Sequence, residues 1–478
     1  MKLIQNIYYR LSSNILISAL NFITSILIIR IFGTEVVGFI AYYISIFGML
    51  SCLCDLGLSN ALTKFISEQK INEKDLIATY FVLKMILLLN YIVISSIIIY
   101  YYKNTFDIAL LFIFFCTFIV GNAIRNPLTS IFMAKRKFKS ISKAQVFANI
   151  TISMYSIILC LFLQNIYLLS IKMLLLYVSE SIFVLYYFDQ KISDCFILPN
   201  RQLIKKYIKF AYPLSLTTIV ANIMAYADRF IIGQLIGMKE LGFFEIAKRM
   251  FSPVDLVIKP VTSTLYPEIL KNMLTKKDFF ETSFKEIIQI LTFVGIIIAM
   301  MMVYLSKPFV LIIYGADNFR AAIIFTFFSG LCISKLFLRP YHHLIHGLEL
   351  QYIYPYITIL SSFIRITGYY YLIPMQIHNI QVGSIAIPLI NTLTWYIPGG
   401  LIVWYHIRKH YYKTYIFETI VKIFLPFISI LFIGNYFHFH IYTFPILLLI
   451  FIMTQIYFGI LSKSKLLMIL QPLIIRFR

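Results

Sequence analysis

The chain has 478 residues, of which 60% are hydrophobic and only 13% charged, and its formal net charge is +22. Soluble domains average roughly 45–50% apolar and about 25% charged residues, so a water-soluble globular fold is excluded by the apolar surface it would have to hide. The positive excess first suggests nucleic acid, but it collects between apolar runs, where membrane topology accounts for it.

Apolar runs of about 20 residues, the length that crosses a bilayer as a helix, repeat from end to end. Barrel strands need only about 9–11 alternating residues. The spans are therefore helices, which satisfy their own backbone groups in lipid. The first span is expected at 11–32; Lys2 and Arg10 precede it, and the stretch runs on without a small-residue cleavage site, so it reads as a membrane helix and not a cleaved signal. Spans two to four follow at 36–58, 77–102 and 108–133. The fifth and sixth, 145–163 and 166–188, are tightly joined. A polar connection at 189–210 carries Pro199, Asn200 and Arg201, then a basic amphipathic stretch at Lys205, Lys206 and Lys209 that is expected on the cytoplasmic surface. Further spans are expected at 211–235, 243–265, 287–305, 320–340, 351–373, 379–404, 417–436 and 442–461. The fold class is an all-α polytopic membrane protein with 14 helices, or 12 if a tight pair is miscounted. No connection has room for a soluble domain, which needs at least ~50 residues.

Lys and Arg fill alternate connections. Of the 42, 26 lie on one side, 6 on the other and 10 inside spans, which puts both termini in the cytoplasm. The connection 134–144 alone has five, whereas 341–350 has none. An internal repeat runs through the pattern: GTEVVGF at 33–39 recurs as GMKELGF at 237–243, an offset of 204. Two glycines five apart suit a tight turn into the next helix. Six spans per half give the halves the same orientation, related by an axis along the membrane normal. The expected divisions are a six-helix lobe at 1–188, a linker at 189–210, a second six-helix lobe at 211–404, and two further helices with a basic tail at 405–478.

Charges inside spans are the functional signal, since each costs at least about 2.5–3.5 kcal/mol at the bilayer centre. Arg30, Lys172, Arg339 and Lys422 lie near span ends, where snorkelling explains them. Lys259 is a further base within a span. Lys84, Arg125, Arg229, Lys335 and Arg365 lie a third to halfway along. Each is read either as facing a cavity or as structurally paired, with Asp55, Glu180, Asp228 and Asp255 as the acids within spans. Asp228 and Arg229 are adjacent and cannot face each other on one helix. The acids are fewer than the bases, which points to a polyanionic passenger or a water-filled cavity. Pro127, Pro253 and Pro260 interrupt spans and Pro213 opens one, each a kink beside a cavity or a packing feature. Cys52 and Cys54 lack metal-ligating neighbours, and His342, His343 and His346 read as a polar interfacial cluster. No Walker lysine, dinucleotide or serine-elbow motif occurs, so no cofactor is expected.

The stretch PLSLTTIVANIMAYADRFIIGQLIGMKELGFFEIAKRM (213–250) resembles the seventh and eighth helices of Wzx-type polysaccharide flippases. The matching features are Pro213, the Asp228–Arg229 pair, and Gly237, Gly242 and Phe243. CDLGLSNALTKF (54–65), LYPEILKN (265–272) and KPFVLIIYGADNF (307–319) look like further segments of that family. The resemblance implies the fold of multidrug and oligosaccharidyl-lipid exporters, two six-helix lobes around a V-shaped cavity. It also implies that the chain moves an undecaprenyl-pyrophosphate-linked O-antigen or related repeat unit from the cytoplasmic to the periplasmic leaflet of the bacterial inner membrane by alternating access. A polymerase and a chain-length regulator are the partners that the resemblance implies. On this reading Lys84, Arg125, Arg229, Lys335 and Arg365 hold pyrophosphate or acidic sugars, while Asp55 and Asp228 pair with them or carry coupling ions. A cation-coupled drug exporter of the same fold would be expected to have an acidic cavity. A peptidoglycan-precursor flippase is the other alternative. An enzyme would need an extramembrane domain that the connections cannot hold.

Overall fold

The computed structural model describes residues 2–68, 71–102, 107–187, 201–273, 277–348, 350–377, 380–409, 416–436 and 444–460. Among the described residues the architecture is all-α apart from one hairpin of two-residue strands, β1 (Gln376–Ile377) with β2 (Ile380–Gln381). Among the described residues, ten helices are long and apolar enough to cross a membrane. Residues 188–200, with Cys195 and more than half of the expected linker, and the tail beyond 460 lie outside the described residues.

Two compact units divide the chain, Met1–Glu245 and Ile246–Arg478. The first begins with α1 (Lys2–Phe32) and α2 (Thr34–Leu50). The expected second span does not run on to 58. A 3₁₀ turn at Ser51–Cys54 is followed by Leu56 and Gly57 with φ of 43° and 86°. A separate short helix, α3 (Leu58–Glu68), then follows inside the expected connection. Its Leu58, Ala61, Leu62 and Phe65 recur at helical spacing and bury against Tyr80 and Tyr207. The polar face between them is why hydropathy alone reads it as a loop.

Next come α4 (Glu73–Tyr102), α5 (Ile108–Val120) and α6 (Asn126–Ala134). Asp107 caps α5, accepting from the amides of Ala109 and Leu110. The Tyr167 hydroxyl donates to Asp107 Oδ2 at 2.7 Å and holds that carboxyl below the usual carboxylate range. Between α5 and α6 the chain makes one π-helical turn, Gly121–Arg125, directly before Pro127. The missing amide of Pro127 and the wide turn belong together, because a π-bulge absorbs the hydrogen bond that proline cannot make. α7 (Phe138–Ile158) packs on α1, and α8 (Ile166–Tyr186) packs on α5 and α7.

The expected seventh span begins earlier than 211. α9 runs from Arg201 to Leu235 with Pro213 in its interior, not at its start. The basic stretch is held helical by its apolar side. Tyr207 is fully buried, meets Phe65 edge to face at 5.0 Å and donates to the Leu76 carbonyl at 3.0 Å. α9 lies along α2.

The repeat has a geometric meaning. Gly33 and Gly237 both have positive φ, 82° and 124°, where other residues are strained. Five residues on, a Cβ on Gly38 would strike the Met238 carbonyl, and a Cβ on Gly242 would strike the Thr34 carbonyl. Met238 is Thr34 displaced by the repeat offset, so the two contacts are one contact made twice. Both lie inside the first unit.

α10 (Met238–Met273) extends beyond the expected 243–265 at both ends. In the second unit α11 (Lys277–Tyr314) and α12 (Phe319–Gly347) pack along each other. α13 (Tyr354–Leu372) leads to the hairpin, so the twelfth expected span starts at Gly383, in a 3₁₀ turn that runs into α14 (Ala386–Thr394), and not at 379. A π-helical turn at Trp395–Gly399 around Pro398 joins α14 to α15 (Gly400–Lys409). α16 (Ile416–Thr419), α17 (Leu425–Tyr436) and α18 (Phe444–Tyr457) complete the described chain. Phe293 of α11 stacks on Phe451 of α18 at 5.7 Å, beside Phe427 of α17.

Candidate functional site

All five intramembrane cations singled out in the sequence are described, and four of them meet a carboxylate on another element. Lys84 of α4 is buried, with Nζ 2.6 Å from Asp55 Oδ1. Asp55 sits in the irregular turn before α3, which lets its side chain face α4. Ser59, one helical turn on, donates to the same Oδ1 at 2.5 Å. Ser130 of α6 donates to Ser59 at 3.1 Å, and Tyr80 lies 3.0 Å from the same hydroxyl. The Lys84 ammonium also lies over the Tyr80 ring.

Arg125 ends the π-helical turn, which aims it at α8. Its Nε is 2.7 Å from Glu180 Oε2, and Nη1 donates to Asn126 Oδ1 at 3.0 Å. Glu180 is 2% exposed and takes a second donor, Gln145 Nε2 of α7, at 3.1 Å. The guanidinium lies 4.9 Å from the centroid of Tyr177. Gly121, one turn before Arg125, makes the room, since a Cβ there would meet the Tyr177 ring at 2.8 Å.

Arg229 of α9 does not face Asp228, as expected for neighbours on one helix. Its partner is Glu245 of α10, with Nε 2.6 Å from Oε1 and Nη2 3.5 Å from Oε2. Asp228 is buried and accepts the Arg229 backbone amide at 2.8 Å. The Arg229 guanidinium lies 5.9 Å from the centroid of Tyr226, a placement like that of Arg125 over Tyr177.

In the second unit, Lys335 of α12 meets Asp255 of α10 at 2.5 Å and lies over Phe251, itself stacked on Phe328 at 5.1 Å. Arg365 of α13 donates from Nε to Thr394 Oγ1 of α14 at 2.9 Å. Lys84, Asp55, Arg125, Arg229 and Asp228 belong to the first unit, and Lys335 and Arg365 to the second. Lys422, read as a span-end lysine, pairs with Glu418 at 2.8 Å.

Sequence reasoning missed Glu245. It is the third residue of the expected span 243–265 and stands outside the set of acids picked out within spans. The signal for it is Arg229 itself, which needs a carboxylate other than Asp228. The pairs also change the charge balance. A buried pair is close to neutral from outside, and removing either partner leaves a charge uncompensated at a cost of about 3–5 kcal/mol. A carboxylate is also the protein group that a phosphate most closely imitates, as both accept paired donors from guanidinium and ammonium groups. Four of the five cations are therefore held in place by an internal anion.

The sequence model of a family described as "Polysaccharide biosynthesis protein" matches residues 3–273. The teichuronic acid biosynthesis protein TuaB of Bacillus subtilis (strain 168) is 24% identical over 205 residues, 42% of each chain. The chain thus spans under half the length of that relative. Among solved structures, the lipid II flippase MurJ in an inward closed conformation superposes with a TM-score of 0.69 at 15% identity, covering 97% of this chain and 98% of that one. An inward-facing multidrug resistance MATE family transporter of the MOP superfamily gives a TM-score of 0.64 at 15% identity, covering 84% and 98%. A MOP superfamily transporter from Pyrococcus furiosus, whose structure is described by a reversed polarity of its binding pocket, gives 0.54 at 14% identity, covering 84% and 95%.

Proposed function

The chain belongs to the polysaccharide biosynthesis protein family, and from that premise we propose that it is a flippase for lipid-linked saccharides. Its passenger is an undecaprenyl-pyrophosphate-linked repeat unit of O-antigen or a related surface polysaccharide, carried from the cytoplasmic to the periplasmic leaflet. The protein is a transporter and not an enzyme. It sits in the bacterial inner membrane with both termini cytoplasmic, as the 26-to-6 division of Lys and Arg supports. Its fourteen spans form two six-helix lobes, 1–188 and 211–404, joined by the linker 189–210, with two further helices after them. The polymerase and chain-length regulator of the same polysaccharide are its partners.

One observation carries the reading: cations held within membrane spans by carboxylates that a pyrophosphate can replace. Lys84, Arg125 and Arg229 are held this way in the first unit and Lys335 in the second. Arg365 is the fifth cation of the set. A drug exporter for cations has no use for such an array. Asp55, Glu180, Glu245 and Asp255 then alternate between their internal partner and release, and Asp55 and Asp228 are the candidates for ion coupling.

The testing experiment is leaflet-resolved mass spectrometry of undecaprenyl-linked glycans in cells lacking the protein. Complete repeat units stranded on the cytoplasmic side, with surface polysaccharide lost, support the flippase. A normal lipid-linked pool with normal surface sugar rejects it. The likeness to MurJ over nearly the whole chain favours a second reading, translocation of a peptidoglycan precursor. Rescue of cells depleted of their own peptidoglycan flippase distinguishes the two.

A further inference from the structure

We propose that the turn between α6 and α7 is a binding surface for the headgroups of anionic phospholipids. The turn, Lys135–Arg136–Lys137, closes α6 by the two nested hydrogen bonds of a helix-ending motif. Lys137 donates to the Phe132 carbonyl at 2.9 Å, and Arg136 to the Met133 carbonyl at 3.0 Å. That motif places one residue in the left-handed region, where glycine is the usual occupant. Here the occupant is Arg136, at φ 57° and exposed. A strained, exposed arginine where glycine would serve the fold better points to a role outside the fold.

The surroundings match that role. Lys139 and Lys143 are exposed on the first turns of α7. Arg10 of α1 lies over the Phe138 ring at 5.6 Å, and Lys139 lies over Tyr9 at 5.2 Å, so the two helix starts are tied by cations. Glu73 takes Lys135, and the sequence has no Asp or Glu from 108 to 179. Topology alone does not ask for this density, since 341–350, which holds the same place in the second half, has no Lys or Arg.

The choice of a lipid over a free phosphate rests on what adjoins the charges. Lys143 heads an exposed apolar stripe along α7: Phe147, Ile150 and Met154. These residues follow helical spacing on one face, and Lys143 to Met154 spans about 16 Å of helix, close to one leaflet of a hydrocarbon core about 30 Å thick. Acyl chains lying on that stripe bring a phosphodiester to Lys143, Lys139 and Arg136. The inference stands whether or not the transported passenger is a lipid-linked sugar.

The test uses the full chain in nanodiscs, with retained phospholipid measured by native mass spectrometry. Wild type is expected to keep phosphatidylglycerol in preference to phosphatidylcholine. Arg136→Gly places the favoured residue in the turn, so folding is preserved while the preference falls about fivefold; adding Lys139→Gln and Lys143→Gln lowers it about a hundredfold in all. An unchanged preference in the triple variant, with its melting temperature in phosphatidylcholine also unchanged, overturns the proposal. So does inorganic pyrophosphate binding in the absence of lipid with the same dependence on the three residues, which would make this a soluble-phosphate site.

Discussion

Exchanging Arg229 and Glu245 separates holding the fold from holding the passenger. The two groups meet at 2.6 Å and are 20% and 7% exposed. Arg229→Ala leaves Glu245 charged and nearly buried, and Glu245→Gln leaves Arg229 in the same position. Each should lower stability by about 3–5 kcal/mol. In a unit of 245 residues that is a fall of roughly 6–20 °C in melting temperature. The reversed pair, Arg229→Glu with Glu245→Arg, restores the attraction and should recover most of that loss. It also moves the guanidinium from α9 to α10. If Arg229 serves the passenger's phosphates from α9, the reversed protein melts near wild type in detergent but fails to restore surface polysaccharide. Full transport by the reversed pair would show that any placement of the two charges suffices, and the phosphate-holding role of Arg229 would fall. A reversed pair no more stable than the summed effects of Arg229→Glu and Glu245→Arg made singly would refute the pairing itself.

Other outcomes follow from single contacts. Gly38→Ala drives a methyl into the Met238 backbone and should destabilise by about 1–3 kcal/mol. Gly33→Ala meets nothing within 4 Å, but φ 82° with ψ 168° is open essentially to glycine alone, so it should cost about 1–3 kcal/mol; melting curves of the two variants measure both. Asp55→Asn leaves Lys84, 3% exposed, without its carboxylate, and should cost about 3–5 kcal/mol, read as a lower melting temperature and lower yield from membranes. The Asp107 carboxyl is held below its usual range by Tyr167. Its contribution is therefore complete above the unfolded value of about 3.9 and is lost as pH falls through the lower folded value. Asp107→Asn keeps the helix cap, and its melting temperature should fall less than wild type's between about pH 5 and pH 3.

Ten of the fourteen expected spans meet helices long and apolar enough to cross a membrane among the described residues, and these were legible because their signal is local: an apolar run long enough to cross a bilayer reads the same wherever it packs. Element ends were not, for reasons visible at particular residues. α3 is eleven residues with one polar face, and its helicity depends on Phe65 meeting Tyr207 from a distant part of the chain. α9 starts at Arg201 because Tyr207 and Phe210 pack against α3 and α4, a fact of tertiary contact with no periodic trace long enough to outweigh three lysines. The five site cations stood out because charge in an apolar run is conspicuous. Their partners were harder to see: Glu180 is 55 positions from Arg125, and Glu245 is separated from Arg229 by the turn at Gly237. Pairing is a property of folded space, and sequence shows only that a partner is owed.

The Gly38–Gly242 crossing behaves like the dyad of a symmetric dimer drawn within one polypeptide. At such a dyad residue i meets j while j meets i, and here 38 meets 238 while 242 meets 34. The two positions have separate codons but one shared space. An added methyl at either opens the same backbone gap that a methyl at the other would occupy. Substitutions at 38 and 242 should therefore harm the protein by less together than the sum of their separate effects, and drift at one position is bound to the state of the other.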